Sequence, residues 1–369
     1  MWYRWARTTR VWARCRTASS WSRRAPVWAA YTSPSTTGWS ASGPWAWIRI
    51  WPTAWPDASV RPPYTKGTDM KLVFFDDYKL GIVRGDRVID TAPVLMGINA
   101  PTPQDLINAV ISEWDSRFRE AFLWVQTTDN QGIPLANVKL RAPLPHPGKI
   151  VCMAANYMED GALKEPRPIN AFLKSSDSVI ATGETVVLTP YEATIFHHEA
   201  EIALVFGRTG RNVTRQEAFK YVFGYVNFND MSARGLHPNS FYFHKSFDTF
   251  GPMGPYLVTA DEVGDPYAMQ MRLWVDGQPR HDYPISDMGH KIDRCVEYVT
   301  ATTIMEPGDM ISLGTNHQGI GPVQDGNKVE QECGPLGRLV FNVTDANKRK
   351  WPHEIDKRMA DAVAGRTAR

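Results

Sequence analysis

Hydrophobic and polar residues alternate in short runs from Met70 onward. A period of two is typical of strands that bury one face, because successive side chains point to opposite sides of a sheet. The alternation predicts three short strands at residues 71–76, 79–84 and 87–91. Gly85 and Asp86 separate the last two of these runs, and this pair predicts a tight hairpin turn.

The pattern becomes helical over residues 104–125, where apolar residues recur at spacings of three and four. This spacing predicts a helix with one stripe facing the core. A proline-rich connector at residues 140–148 cannot continue a helix and is typical of a domain boundary. Residues 70–148 are therefore predicted to form a small N-terminal α+β module.

After residue 148, short apolar runs follow one another at irregular spacing, with many Gly and Pro residues between them. These runs predict strands at residues 149–154, 169–174, 185–189, 199–206, 221–228, 271–276, 310–313 and 338–343. Helical patterns cover residues 215–221 and 291–303. The pattern indicates an α+β fold that is mostly β over residues 149–345. The charged C-terminal tail, residues 346–369, is predicted to form a helix on the surface or on a partner subunit.

The first 69 residues differ from the rest of the chain. Ten of the fourteen Trp residues precede residue 56, mixed with Arg, Ser, Thr and Pro and without a sustained period. Three interpretations compete: a targeting peptide, an interaction tail with aromatic anchors, or a stretch that is not native. A secretory signal fits poorly because no apolar core follows the charged start. We favour a non-native or disordered extension, with Met70 as the natural start.

Charge is distributed unevenly along the chain. The net charge is +2, but residues 1–69 contain ten basic and two acidic residues, so the remainder has 31 basic against 37 acidic residues. A mildly acidic body gives no reason to expect a nucleic-acid partner. No apolar run approaches the roughly 18 to 20 residues that a membrane span requires. The four cysteines, with no CxxC spacing, are interpreted as reduced thiols of a cytoplasmic protein: Cys15, Cys152, Cys295 and Cys333.

Three carboxylates form the strongest candidate for chemistry. Glu199 and Glu201 are two residues apart at the start of a predicted strand, so both side chains are expected on the same face. Asp230 ends a second apolar run. Three carboxylates at strand ends can form an all-oxygen site for a hard divalent cation.

These carboxylates belong to an ordered series of motifs: Glu199-Ala-Glu201, Gly224-Tyr225 through Asn229-Asp230 to Arg234, Lys245 to Tyr256, Glu306-Pro-Gly-Asp309 and Gly314-Thr315. Over roughly Ile150 to Val343 the series resembles the fumarylacetoacetate hydrolase family. The resemblance implies a mixed β-sandwich roll with a divalent metal, usually Mg²⁺ with Mn²⁺ or Ca²⁺ as substitutes, and commonly a homodimer. Family members hydrolyse a C–C bond in acylpyruvates and related diketo acids, or isomerise or decarboxylate 2-oxo dicarboxylic acids.

The resemblance also implies roles for single residues. Glu199, Glu201 and Asp230 match the metal carboxylates of the family, and Lys245 matches its active-site lysine. A 2-oxo or diketo acid substrate can chelate the metal through two oxygens, and the metal then polarises the carbonyl and stabilises an enolate. The Lys245 ammonium adds positive charge beside the developing oxyanion.

One departure from the family concerns proton transfer. Many members continue from the segment matching Asn156-Tyr157 into a His and a Glu that together activate water, whereas here Glu159 and Asp160 follow. Either acid is a candidate base if burial raises its pKa, and each is equally an ordinary loop acid or helix cap. His317 lies in a glycine-rich loop and is a candidate replacement base or carboxylate anchor.

Three further residues are candidates for substrate binding. Thr315 belongs to the Gly314-Thr315 loop. Arg234 is a candidate anchor for a substrate carboxylate, or a partner in an internal salt bridge. Tyr242 could cover the substrate as part of a lid, or belong to a packed aromatic turn. His197 and His198, which precede the first carboxylate, are predicted to support the site or to be exposed, and not to bind the metal.

The sequence leaves three hypotheses for function. The first is a Mg²⁺-dependent hydrolase that cleaves a C–C bond in an acylpyruvate-like or diketo acid through a metal-stabilised enolate. The second is an isomerase or decarboxylase of a 2-oxo dicarboxylic acid, similar to 2-hydroxyhepta-2,4-diene-1,7-dioate isomerase or oxaloacetate decarboxylase, which needs no activated water. The third is a metal-binding family member without catalysis. The first is preferred.

Overall fold

The computed structural model describes residues 70–127 and 131–366. The interpretation of residues 1–69 as a non-native or disordered extension lies outside the described residues and stays a prediction. The strands are β1 (Lys71–Phe75), β2 (Lys79–Arg84), β3 (Arg87–Asp90), β4 (Ile133–Pro134), β5 (Leu140–Arg141), β6 (Ile150–Met153), β7 (Ala171–Lys174), β8 (Val179–Ala181), β9 (Thr185–Val187), β10 (Ile195–His197), β11 (Ala200–Phe206), β12 (Val222–Asn229), β13 (Ser232–Arg234), β14 (Gly251–Met253), β15 (Leu257–Thr259), β16 (Gln270–Val275), β17 (Gln278–Pro284), β18 (Met310–Ser312), β19 (Lys328–Cys333) and β20 (Arg338–Thr344).

The α-helices are α1 (Pro103–Ser112), α2 (Arg119–Thr127), α3 (Phe241–Lys245), α4 (Ala260–Val263), α5 (Ile292–Thr302) and α6 (Lys357–Val363). Residues 215–221, predicted to be helical, form a 3₁₀ helix. The single helix predicted over residues 104–125 is divided by a π-helical turn, Trp114–Phe118. This wider turn places Trp114, Phe118 and Phe122 together in the core, where the Trp114 and Phe122 rings lie 5.5 Å apart edge to face.

The largest sheet combines the N-terminal strands of the described chain with strands from its later part, up to β18. Its main path runs β4-β3-β2-β1-β15-β12-β11-β18-β6-β7, with β5, β8 and β14 attached beside it. β1 pairs antiparallel with β15, and Leu72 lies opposite Leu257. The strands predicted for an N-terminal module therefore extend the same sheet that contains β11 and β12.

A second sheet packs on the first. It has the order β17-β16-β19-β20-β9, and a two-stranded sheet pairs β10 with β13. One core contains Leu204 of β11 together with Leu273 and Phe341 of the second sheet, all fully buried. A second core on the other side of β11 contains Ala203 and helix residues such as Ile107. This arrangement confirms an α+β fold that is mostly β.

Strand β11 carries the functional segment and is covered on both faces. All seven of its residues are buried, which explains why it is an almost continuous apolar run and not an alternating one. It pairs with β12 along its whole length, from Ala200 opposite Asn229 to Phe206 opposite Val222. The ends of these two strands therefore meet, and the residues just before β11 and just after β12 come together.

The C-terminal segment ends in α6, which packs against the 3₁₀ turn His317–Gly319. Within the described part of the chain, no helix combines the length and apolar character needed to cross a membrane. The cysteines of that part, Cys152, Cys295 and Cys333, are free and buried, as the sequence predicted for them.

Candidate metal and proton-transfer site

Three carboxylates meet where β11 begins and β12 ends. Glu199 immediately precedes β11, Glu201 is its second residue, and Asp230 follows β12; each offers an oxygen within 4.8 Å of the others. None of the three is more than 4% exposed. The backbone holds the group together, because the Asp230 amide donates to the Glu199 carbonyl at 3.0 Å. The carboxylates of Glu199 and Glu201 thus lie close together, as the sequence predicted, although Glu199 itself precedes the strand.

Three cationic side chains balance these carboxylates. Lys245 Nζ lies 2.6 Å from both Glu199 Oε2 and Asp230 Oδ2. Arg234 forms a salt bridge with Glu199 Oε1. Lys174, the last residue of β7, places its Nζ 2.8 Å from Asp230 Oδ1 and is only 3% exposed. Sequence reasoning missed Lys174, although a lysine that ends an apolar strand was a signal worth testing.

The two glutamates differ in their electrostatic surroundings. Burial opposes the charge of Glu199, but Lys245 and Arg234 outweigh it and hold the pKa of Glu199 below its usual value. Burial and the charges of Asp230 and Glu199 raise the pKa of Glu201 to about 8. Glu201 Oε2 accepts hydrogen bonds from the Ser312 hydroxyl and, at 2.9 Å, from the Gly314 amide.

This donor set fits a hard divalent cation. Mg²⁺, Mn²⁺ and Ca²⁺ prefer oxygen ligands, and a buried cluster of three carboxylates supplies them from a rigid pair of strands. Burial and the neighbouring carboxylates raise the pKa of Glu201, and a bound dication would stabilise its charged form. Glu199, Glu201 and Asp230 are therefore the residues that would hold the metal.

A carboxylate and an imidazole pair beside this cluster. Glu159 Oε1 lies 2.9 Å from His317 Nδ1, and Glu159 Oε2 accepts from the His317 amide at 2.8 Å. Glu159 is fully buried and His317 is 8% exposed. The Glu159 backbone has a φ of 57°, which few residues other than Gly adopt, and this turn directs the carboxylate inward. The loop that carries His317 reaches the carboxylate cluster, because the Gly314 amide three residues earlier donates to Glu201 Oε2.

The pairing defines which nitrogen of His317 is available. An ionised Glu159 can only accept, so Nδ1 carries the hydrogen and Nε2 keeps a lone pair. Gln318 Nε2 donates to Glu159 Oε2 at 2.9 Å and completes the support of the carboxylate. The chain lacks a His and a Glu within the segment after Tyr157, but it forms a His–Glu pair from two segments that are distant in sequence.

Asp160, the other acid proposed as a base, lies apart from His317. It is exposed and accepts a hydrogen bond from Asn316 Nδ2 at 2.8 Å. Although the residue is exposed as a whole, partial burial of its carboxyl group and the neighbouring Asp287 carboxylate raise the pKa of Asp160. A catalytic role for Asp160 stays a prediction.

The predicted substrate-binding residues occupy different environments. Thr315 is buried, with its hydroxyl 3.4 Å from the Tyr283 hydroxyl. Arg234 makes the internal salt bridge that the sequence left open as an alternative. Tyr242 lies on α3 and is 69% exposed. Contact of these three with substrate stays a prediction.

The two histidines before Glu199 are buried and lie outside the carboxylate cluster. His197 contacts Arg234 and Asp356, whereas His198 Nδ1 lies 3.2 Å from His281 Nε2. Burial and the Arg234 charge lower the pKa of His197 to about 3, so this imidazole is neutral near pH 7. His197 therefore supports the site through its neighbours.

Comparison with known proteins places the fold and the site in a family. A model described as fumarylacetoacetate hydrolase C-terminal matches residues 149–344, which contain all three carboxylates, Lys245 and the Glu159–His317 pair. The chain belongs to the fumarylacetoacetate hydrolase family.

Two maleylpyruvate hydrolases are among the relatives of this family member. That of Aquipseudomonas alcaligenes is 32% identical over 292 residues, which cover 74% of this chain and 99% of the relative. The crystal structure of that from Sphingobium sp. SYK-6, in complex with manganese(II) ion and pyruvate, superposes with a TM-score of 0.68 at 32% identity. It covers 75% of this chain and 99% of its own.

A third relative has a different activity. The oxaloacetate tautomerase YisK of Bacillus subtilis is 32% identical over 220 residues, which cover 56% of this chain and 73% of the relative. A hydrolase and a tautomerase thus have the same sequence identity to this chain, so both reactions occur within the fumarylacetoacetate hydrolase family.

Lys174 provides a test of the charge balance in this family member. We expect Lys174→Met to lower the free energy of unfolding of the metal-free protein by about 3–5 kcal/mol, because it leaves Asp230 buried with less compensation. Added Mn²⁺ should recover part of this loss, since the dication replaces the missing charge. Urea unfolding in EDTA and in Mn²⁺ measures both effects.

The matched control is Lys220→Met, which removes an exposed lysine paired with Glu217 on the surface. Exposed pairs contribute about 0–1 kcal/mol, so this variant should unfold like the wild type. Equal stability of the Lys174 and Lys220 variants in EDTA would contradict the proposed charge balance.

Proposed function

We propose that the chain is a Mg²⁺-dependent hydrolase that cleaves a C–C bond in an acylpyruvate-like or diketo acid. The observation that carries the proposal is the Glu159–His317 pair beside the carboxylate cluster, because hydrolysis needs a base for water. The maleylpyruvate hydrolases among the relatives, one of them with manganese and pyruvate bound, support the same substrate class.

Each protein group has a role in this reaction. When bound, the divalent ion supplies a Lewis acid that polarises the 2-oxo group of the substrate. His317 Nε2 takes a proton from water as the water oxygen attacks the acyl carbonyl carbon, and Glu159 stabilises the resulting imidazolium. The C–C bond then breaks, its electron pair passes to the 2-oxo acid fragment as an enolate, and the His317 imidazolium returns its proton to the enolate carbon. Lys245 supplies positive charge near the enolate oxygen, and protonation at carbon completes a 2-oxo acid and a carboxylic acid.

The alternative is an isomerase or decarboxylase of a 2-oxo dicarboxylic acid. It needs the carboxylate cluster and Lys245 but no base for water, and the similarity to an oxaloacetate tautomerase favours it. A metal-binding protein without catalysis is the third candidate. The hydrogen bond between His317 and the buried Glu159 carboxylate favours the hydrolase over both, because it provides a base for water.

An assay of the purified protein with Mg²⁺ distinguishes these functions. Acetylpyruvate, fumarylpyruvate and maleylpyruvate should lose their enol absorbance as they are cleaved, and the carboxylic acid products should appear in equal amounts. CO₂ release and enol–keto exchange of oxaloacetate are followed separately. Turnover of oxaloacetate without cleavage of any acylpyruvate would contradict the hydrolase and support the alternative.

We also propose that the protein is a homodimer, the assembly that the family resemblance implies, and that it is cytoplasmic. Light scattering during size-exclusion chromatography measures the assembly directly. A mass equal to that of one chain would contradict the dimer.

A further inference from the structure

The C-terminal segment, residues 351–366, borders the site although it lies beyond the residues matched by the family model. The Asp356 amide donates to the Ile320 carbonyl at 2.8 Å, which fastens the segment to the end of the His317 loop. Gln318 Nε2, which supports Glu159, also donates to the Ala360 carbonyl at 3.3 Å. The tail is therefore part of the wall of the site and not a separate surface element.

A chain of polar contacts leads from this segment to a candidate metal ligand. Asp356 Oδ2 lies 3.1 Å from His197 Nε2. His197 Nδ1 lies 3.2 Å from Arg234 Nε, and Arg234 Nη2 donates to Glu199 Oε1. Three successive side-chain contacts, through His197 and Arg234, thus connect Asp356 of the tail with Glu199 of the carboxylate cluster.

The donor and the acceptor can be assigned for each hydrogen bond in this series of contacts. Arg234 Nε can only donate, so His197 Nδ1 accepts and its imidazole is neutral. His197 Nε2 then carries the hydrogen and donates it to Asp356. His197 is fully buried and the Asp356 side chain is 12% exposed, so water competes little for these bonds.

We propose that Asp356 is a positioning residue for the metal centre, acting through His197 and Arg234 on Glu199. Asp356 orients the imidazole, the imidazole holds the guanidinium against Glu199 Oε1, and Glu199 Oε2 is left to face Lys245, which also contacts Asp230. Partners that orient metal ligands typically contribute 10–100-fold to metal affinity. This inference rests on the metal centre of the proposed function, but not on the reaction assigned to it.

Asp356 has a second role that the experiment must separate. Its Oδ1 accepts from the Met359 amide at 3.1 Å and so caps the N-terminus of α6. Serine is an equally good N-cap residue but is too short to reach His197. Asp356→Ser therefore removes the contact with His197 while keeping the helix cap.

The test measures Mn²⁺ binding to the full-length, metal-depleted protein by electron paramagnetic resonance of free Mn²⁺. We expect Asp356→Ser to weaken Mn²⁺ binding by about 10-fold or more with little change in the thermal midpoint of the metal-free protein. The control Glu354→Gln removes an exposed acid from the same segment and should bind Mn²⁺ like the wild type. In a His197→Phe background, Asp356→Ser should have no further effect, because the intermediary is already lost.

Wild-type Mn²⁺ affinity in Asp356→Ser would overturn the proposal, as would a lowered midpoint with unchanged affinity, which indicates a structural role only. If the Ser variant does not fold, Asp356→Asn decides, since the NH2 group that replaces one carboxylate oxygen can only donate, and Met359 and His197 each need an acceptor at their own oxygen. Because the probe is the metal alone, a weaker Mn²⁺ affinity of the Asp356 variant would support the positioning role even if the wild type cleaves no diketo acid. Failure of the wild type to bind Mn²⁺ would overturn the metal centre and this inference together.

Discussion

Replacing Glu201 by Gln is expected to abolish Mn²⁺ binding and turnover together. The substitution keeps the size of the side chain but removes one of three clustered carboxylates, and its amide group places a donor where the metal needs an acceptor. The loss of affinity should exceed the roughly 10–100-fold expected for residues that only orient a ligand. Isothermal titration with Mn²⁺ and an acylpyruvate assay measure the two effects on the same preparation.

The same substitution should also stabilise the metal-free protein. Burial and the two neighbouring carboxylates raise the pKa of Glu201 to about 8, so folding at pH 7 requires this side chain to take up a proton, a cost that a neutral amide avoids. Glu192→Gln removes an exposed acid upstream of the site and is the matched control. Full activity of the Glu201 variant, or loss of Mn²⁺ binding in the Glu192 variant, would refute the assignment of the metal ligand.

Replacing His317 by Asn should lower kcat for hydrolysis by about 10²–10⁴-fold, the usual contribution of a general base. Mn²⁺ affinity should stay unchanged, because His317 lies outside the carboxylate cluster. Glu159→Gln should show a smaller loss in the same direction, since it removes the charge that stabilises the imidazolium. Steady-state kinetics with Mn²⁺ titrations separate an effect on chemistry from one on metal binding.

Asp160→Asn is the decisive comparison for the identity of the base. If Asp160 activates water, its replacement causes the loss and the His317 substitution leaves kcat unchanged. If the protein isomerises or decarboxylates its substrate without activated water, neither substitution lowers turnover by this amount. The three outcomes are distinct, and the second and third would each contradict the role given to His317.

The carboxylate cluster could be predicted because its information is local. Two glutamates at a spacing of two, at the start of an apolar run, face the same way on any strand. Asp230 was added to the predicted site because it ends the next apolar run, and the order of the motifs supported the assignment of all three as metal ligands. The pairing of β11 with β12 then brought the three residues together as expected.

The proton-transfer pair could not be predicted because its information is not local. Glu159 and His317 are 158 residues apart, and no periodic pattern connects a loop acid with a loop histidine. Their meeting depends on an uncommon backbone conformation at Glu159 and on the contact between two loops. Each residue was a candidate on its own, but only the fold shows that Glu159, and not Asp160, contacts the imidazole.

Long-range pairing explains the other differences. Alternation predicted β1 correctly as a strand, but not its partner β15, which lies almost two hundred positions further along the chain. Lys174 was missed as a site residue for the same reason, since its partner Asp230 is 56 residues away. The tail was expected to form a helix on the surface or on a partner subunit, yet its contact with His197 depends on how the sheets pack.

The three cations around the three carboxylates affect how the binding of a metal ion and of an anionic substrate would depend on each other. Lys174, Lys245 and Arg234 lie against the three carboxylates, so a bound dication would add positive charge that the protein groups leave uncompensated. An anionic substrate would offset that charge, and metal and substrate would then strengthen the binding of each other by the same factor. We therefore expect the Mn²⁺ affinity to rise in the presence of an anionic substrate by the factor by which Mn²⁺ raises the affinity for that substrate.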